Sequence, residues 1–122
     1  MEAIQFDLTV QSFPVVLKNG DGEAKAYELR EMTSKARDQF LDTLTARTRL
    51  DSAGKPVGLN KFEGLQSDLL CRCMYHENKL VTSAEIQNWP ASVVSLLYKK
   101  AQEINHLNEE GRGKVAEEIK ND

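Results

Sequence analysis

Phe13-Pro14-Val15-Val16-Leu17-Lys18-Asn19-Gly20-Asp21-Gly22-Glu23-Ala24-Lys25-Ala26-Tyr27-Glu28-Leu29-Arg30 places two strand-like runs on either side of two overlapping turn dipeptides. Asn-Gly and Asp-Gly tolerate positive φ, which is what a tight reversal between antiparallel strands requires. Tyr27 and Leu29 share a face, as alternation in a half-buried strand demands. Pro14 cannot donate to a ladder, so its run belongs at a sheet edge or at a strand start. The stretch therefore predicts a β-hairpin, and the glycines read as turn geometry rather than as a phosphate cradle.

Upstream, Phe6, Leu8 and Val10 alternate with Asp7 and Thr9, predicting a further short strand over 5–10. Downstream, the period changes. Thr33 and Ser34 are helix-start residues, and Ala36, Phe40, Leu41 and Leu44 recur at helical spacing to about Arg49. Asp51, Ser52, Gly54, Pro56, Gly58 and Asn60 read as a flexible loop over 51–60. A second helix is predicted from Lys61 to about Met74, with Phe62, Leu65, Leu69, Leu70 and Cys73 along one side. Lys79-Leu80-Val81 reads as a short extended piece, and Thr82 with Glu85 forms a capping box that opens one helical turn. Pro90 suits a helix start, and Val93, Val94, Leu97, Tyr98, Ala101 and Ile104 give a 3.6 period through to about Leu107. Gly111 fits a helix stop.

The fold class that follows is α+β, a small N-terminal antiparallel sheet followed by three to four amphipathic helices. One domain is expected over 1–107, β-rich at 5–31 and helical over 34–107. Beyond it the polar tail 108–122, whose apolar residues are Val115, Ala116 and Ile119, is expected to lack a fold of its own. The 122 residues fit one domain with a core large enough to stand without disulfides.

Sixteen basic and nineteen acidic residues give a net charge of −3 with interspersed signs, where a duplex binder would carry a basic face. No run approaches the ~18 apolar residues of a membrane span, and the start Met-Glu-Ala-Ile-Gln-Phe-Asp carries acid where a signal peptide carries base. The expectation is an intracellular chain with no nucleic-acid or membrane partner, and free thiols at Cys71 and Cys73.

Chemistry is hard to find. Cys71 and Cys73 stand about 200° apart on a helix and lack the second pair of a zinc knuckle. Cys73, His76 and His106 could be assembled into a three-ligand site only by bringing a distant residue in, and core packing is the plainer reading of Cys73. No G-x-S-x-G elbow is present, and Gly111-Arg112-Gly113-Lys114 lacks the spacing and hydroxyl of a phosphate loop. No catalytic, cofactor or metal residue is therefore assigned. Trp89 and Tyr98 are the candidate partner-binding residues, because large amphipathic aromatics anchor interfaces. Their competing reading is packing of the last helix.

Three stretches resemble the tail assembly chaperones of long-tailed, siphovirus-like bacteriophages and prophages. They are the segment Tyr27-Glu28-Leu29-Arg30-Glu31-Met32-Thr33 with the following Arg37-Asp38-Gln39-Phe40-Leu41, then Phe62-Glu63-Gly64-Leu65-Gln66 with Leu69 to Met74, and finally Leu80-Val81, Glu85-Ile86 and Trp89-Pro90-Ala91-Ser92-Val93-Val94 with the helix to Leu107. The resemblance implies a non-catalytic protein of the host cell cytoplasm, absent from the finished virion. Its partners would be the tape measure protein and the tail tube protein, and a frameshifted longer product would extend the tail. Self-association into a homo-oligomer is a further expectation, because linked weak contacts multiply. The alternative is a small phage or bacterial regulator that binds nucleic acid or a host protein, using Lys35, Arg37, Arg47 and Arg49 as a basic helix face.

Overall fold

The computed structural model describes residues 3–107. The predicted tail and the Gly111 stop lie outside them. Strand β1 (Ser12–Lys18) pairs antiparallel with β2 (Ala24–Arg30), with Val15 opposite Tyr27 and Phe13 opposite Leu29. The turn uses one of its two glycines for left-handed backbone. Gly22, at φ 89°, donates to the Asn19 carbonyl at 2.9 Å, and the Asn19 N–H donates to the Glu23 carbonyl at 2.8 Å. Phe13, Val15 and Leu17 face inward half-buried, and Tyr27 and Leu29 are buried beside them.

The strand predicted over 5–10 is not formed. Asp7 instead accepts both the N–H and the hydroxyl of Thr9, at 2.8 and 2.6 Å. Such local side-chain bonds compete with ladder pairing. The alternation is nonetheless present as a chemical pattern, since Ile4, Phe6, Leu8 and Val10 all stand exposed.

Helix α1 (Ser34–Arg47) starts where Thr33 Oγ1 accepts the Ala36 N–H at 3.2 Å. It buries Phe40 and half-buries Leu41 and Leu44. Residues 51–60, expected as a flexible loop, belong to a second hairpin of β3 (Thr48–Leu50) and β4 (Pro56–Leu59). Asp51 Oδ1 accepts the N–H groups of Ala53 and Lys55, both at 2.9 Å, which closes its turn. This pair forms a sheet of its own, apart from the main one.

The predicted 61–74 helix shrinks to α2 (Leu65–Leu70). Gly64 precedes it at φ 79°, a left-handed conformation that a helix cannot continue through, so Phe62 falls outside the helix and is 73% exposed. At the other end Met74 is claimed by the sheet. Strand β5 (Met74–His76) pairs Met74 with Leu29 and Tyr75 with Glu28, and β6 (Lys79–Leu80) pairs back on β5. Glu77 and Asn78, both at positive φ, make the two-residue turn between them. The main sheet thus runs β1-β2-β5-β6, antiparallel throughout.

Thr82 Oγ1 caps α3 (Ser83–Gln87) through the Glu85 N–H at 3.2 Å. Pro90 then caps α4 (Ala91–Ile104), which buries Val94, Leu97, Ala101 and Ile104. The chain is α+β, and among the described residues the four helices share one hydrophobic core with the sheet. A buried amide locks the two halves together. Asn105 Oδ1 accepts the Met32 N–H at 2.7 Å while its Nδ2 donates to the Ala101 carbonyl at 2.9 Å. No described helix is long and apolar enough to cross a membrane.

Candidate partner-binding cleft

Between α2, α3, the first half of α4 and the end of β4 lies a cleft of about 570 Å³. Leu59, Phe62, Ile86, Trp89, Val94 and Tyr98 are the large apolar residues that line it. Local sequence sets this lining. Gly64 stops α2 from extending backward, which frees Phe62 at the rim. Pro90 forces a new helix start directly after Trp89, so Trp89 sits at the joint between α3 and α4.

A small polar seam holds the floor. Ser67 Oγ donates to the Gly64 carbonyl at 3.1 Å and accepts from Ser83 Oγ at 3.0 Å and Gln87 Nε2 at 3.2 Å. These neutral bonds tie α2 to α3, so the cleft keeps its width without charge. Among the described residues, its wall carries no carboxylate, amine, guanidinium, imidazole or thiol. What such a surface can do is bury apolar groups and accept a few neutral hydrogen bonds. The volume falls within the ~300–1,000 Å³ of ligand clefts.

Trp89 and Tyr98, nominated from sequence, both reach this cleft, and both are half-buried. Trp89 also packs edge-on against Tyr27, with centroids 5.6 Å apart, so core packing and cleft lining are one arrangement. Phe62 and Leu59 were missed as cleft residues. Gly64, two residues after Phe62, was the available signal for the first. For Leu59 the signal was the Asp51-to-Gly54 turn, hidden inside an apparent loop.

The ionisable candidates go elsewhere. Cys73 is buried, which, with Cys71 nearby, pushes its thiol up to about 12. Burial and Asp68 also raise Cys71. His76 bonds the Ala26 carbonyl through Nδ1 at 3.0 Å and stacks at 4.7 Å on Tyr27, while His106 is exposed past the end of α4. Among the described residues no group of three or more His, Cys, Asp and Glu is placed to hold a metal. Nor do the four basic residues form one helix face. Arg49 lies on β3, Arg37 is half-buried, and Arg47 Nη1 bonds the carbonyls of Glu63 at 2.8 Å and Lys61 at 3.3 Å.

Fold and site together define a small α+β domain with an uncharged apolar cleft between helices. Compared with known proteins, the chain matches no family model, no curated protein and no solved structure.

Proposed function

We propose that this protein is a non-catalytic phage tail assembly chaperone that holds apolar helical stretches of a tape measure protein in the cleft until tail tube protein assembles around it. One observation carries the reading. Two of the stretches that resemble the chaperone family contribute to the cleft lining, Phe62, Gly64, Leu65 and Gln66 from the first and Trp89, Ala91 and Val94 from the second. A long helical client presents an apolar residue every three to four positions, and a groove with aromatic walls and no charges receives such a stripe. Fully burying one apolar anchor is worth roughly 1.5–3 kcal/mol, so each grip is weak and reversible. Many chaperone copies along one client multiply these grips. The site of action is the host cytoplasm, and the protein leaves before the particle is complete.

Co-expression with the tape measure protein from the same genome tests the reading. The client should become soluble and co-purify, and Phe62→Glu should abolish both while leaving the fold intact, because Phe62 is exposed and outside any helix. A client that stays insoluble and unbound beside the unaltered protein would defeat it.

A further inference from the structure

Among the described residues, two extended apolar surfaces outside the cleft stand exposed. The first is the segment 3–11, where Ile4, Phe6 and Leu8 are 81%, 85% and 94% exposed and Val10 is 53% exposed. The second is the outward face of the four-stranded sheet. There Pro14, Val16 and Ala26 stand exposed on β1 and β2, with Leu80 at the far side and Tyr75 half-buried under the Arg30 guanidinium, 4.2 Å from its ring centre.

The segment's period of two lays its apolar residues along one side when the backbone is extended. Its own sheet gives it no ready place. The Gln11 carbonyl accepts the Glu31 N–H at 2.8 Å, holding the root of the segment in line with β1. Between Ala3 and Phe13 there is neither glycine nor proline to reverse the chain over its own face. Edge pairing is also disfavoured. Bonds at Gln11–Glu31 and Asn19–Glu23 put the odd-numbered β1 residues in the bonded pairs with β2. The even-numbered residues therefore aim their backbone groups at the free edge, where Pro14 has no N–H to offer. At the opposite edge β6 is only two residues long.

We propose that residues 3–11 pack, through Ile4, Phe6, Leu8 and Val10, on the outward sheet face of a second copy, each chain lending its segment to the other about a twofold axis. A groove of about 500 Å³ lies at the segment's root, where Val10, Met32, Ala36, Tyr75 and Leu80 share the lining with the charged Glu28, Arg30, Glu31 and Arg72. The area suits a dimer. Four side chains of roughly 100–150 Å² each, matched on the acceptor and doubled by symmetry, bury about 2,000 Å², within the range of specific interfaces. The segment's charged residue among those described, Asp7, alternates with Phe6 and Leu8, so the side that packs carries no charge to bury.

Sedimentation equilibrium of the full chain, alone, should give a dimer. Phe6→Asp combined with Leu8→Asp should weaken it at least tenfold, and Val16→Asp on the acceptor face should do the same. The circular dichroism should be unchanged for the first variant, whose altered residues touch no core. Leu8→Cys with Val16→Cys, in a Cys71→Ser background, identifies the acceptor: oxidation should yield a covalent species of twice the chain mass. A monomeric full chain, a dimer indifferent to the Asp variants, a cross-link at monomer mass, or no cross-link at all would each overturn the proposal.

Discussion

The β1–β2 and β3–β4 hairpins reverse the chain with the same device. In each, the fourth residue of a five-residue turn is a left-handed glycine, Gly22 at φ 89° or Gly54 at φ 80°, whose N–H returns to the first residue's carbonyl at 2.9 or 3.0 Å. The first and fifth residues then bond at 2.8 and 2.9 Å. What differs is everything beyond the turn. The first hairpin sends Tyr27 and Leu29 into the core and acquires a third strand, β5. The second keeps Leu50 and Val57 more than half exposed and stays a two-stranded sheet, moored by the half-buried Leu59 and by the bond from the Asn60 N–H to the Arg47 carbonyl at 2.8 Å. A turn sets where a chain reverses, and burial of one strand face sets whether the reversal matters to stability.

The largest expected effect breaks this contrast if it is wrong. Leu29→Ala removes a fully buried side chain and should cost about 2–5 kcal/mol. Leu50→Ala, at 58% exposure, should stay within about 0.5 kcal/mol. Urea unfolding of the two variants measures both. Equal losses would mean that the second hairpin is part of the core after all.

A smaller effect probes the strand that only the first hairpin owns. The Arg30 N–H donates to the Cys73 carbonyl at 2.9 Å, so Cys73 leads β5 onto β2. Burial raises its thiol from an ordinary 9.0 to about 12. The folded value lies above the unfolded one, so the protonated thiol's contribution is intact below pH 9. It is then lost as pH rises toward 12, because only the unfolded chain can ionise cheaply there. The slope should be about 1.4 kcal/mol per pH unit. Cys73→Ala, less stable at neutral pH, should lose less as pH rises, so the two urea midpoints should converge between pH 9 and 11. Midpoints that remain parallel would show that β5 does not seal this thiol from water.

The contrast between hairpins also explains what could be read from sequence. The first was legible because its turn was flanked by alternating apolar residues. The second had the turn but flanks of Thr48-Arg49-Leu50 and Pro56-Val57-Gly58-Leu59, with no buried face to set a period, so it passed for a loop. Alternation misled at Phe6-Asp7-Leu8, where the pattern is real but no neighbouring strand pairs with it. Helical periodicity misled at Phe62 and Met74, because Gly64 and the pull of β2 lie outside any count of apolar spacing. The helix from Pro90 was legible because its buried positions are many and regular. Trp89 and Tyr98 could be named as anchors, yet their cleft needed Leu59 and Phe62, which come from the two misread segments. The Asn105 clamp between α4 and Met32 left no sequence signal, since a buried amide's partners are set by tertiary geometry alone.

The smallest effect sharpens the comparison at the shared turn itself. An added methyl group would meet nothing within 4 Å at either Gly22 or Gly54, so Gly→Ala at either site isolates the cost of left-handed backbone, about 1–2 kcal/mol. The local penalty is the same, but its readout should differ. Gly22→Ala strains a hairpin that opens only when the core opens, so the global urea midpoint should fall. Gly54→Ala strains a hairpin that can open alone, which relieves the strain while the rest of the molecule stays folded. Its global midpoint should move by less than half as much. Instead, amide exchange at Asp51 and Lys55, whose N–H groups close that turn, should quicken about tenfold. Equal midpoint shifts for the two variants would mean that the hairpins unfold as one unit, and that the second is coupled to the core more tightly than its exposed strands suggest.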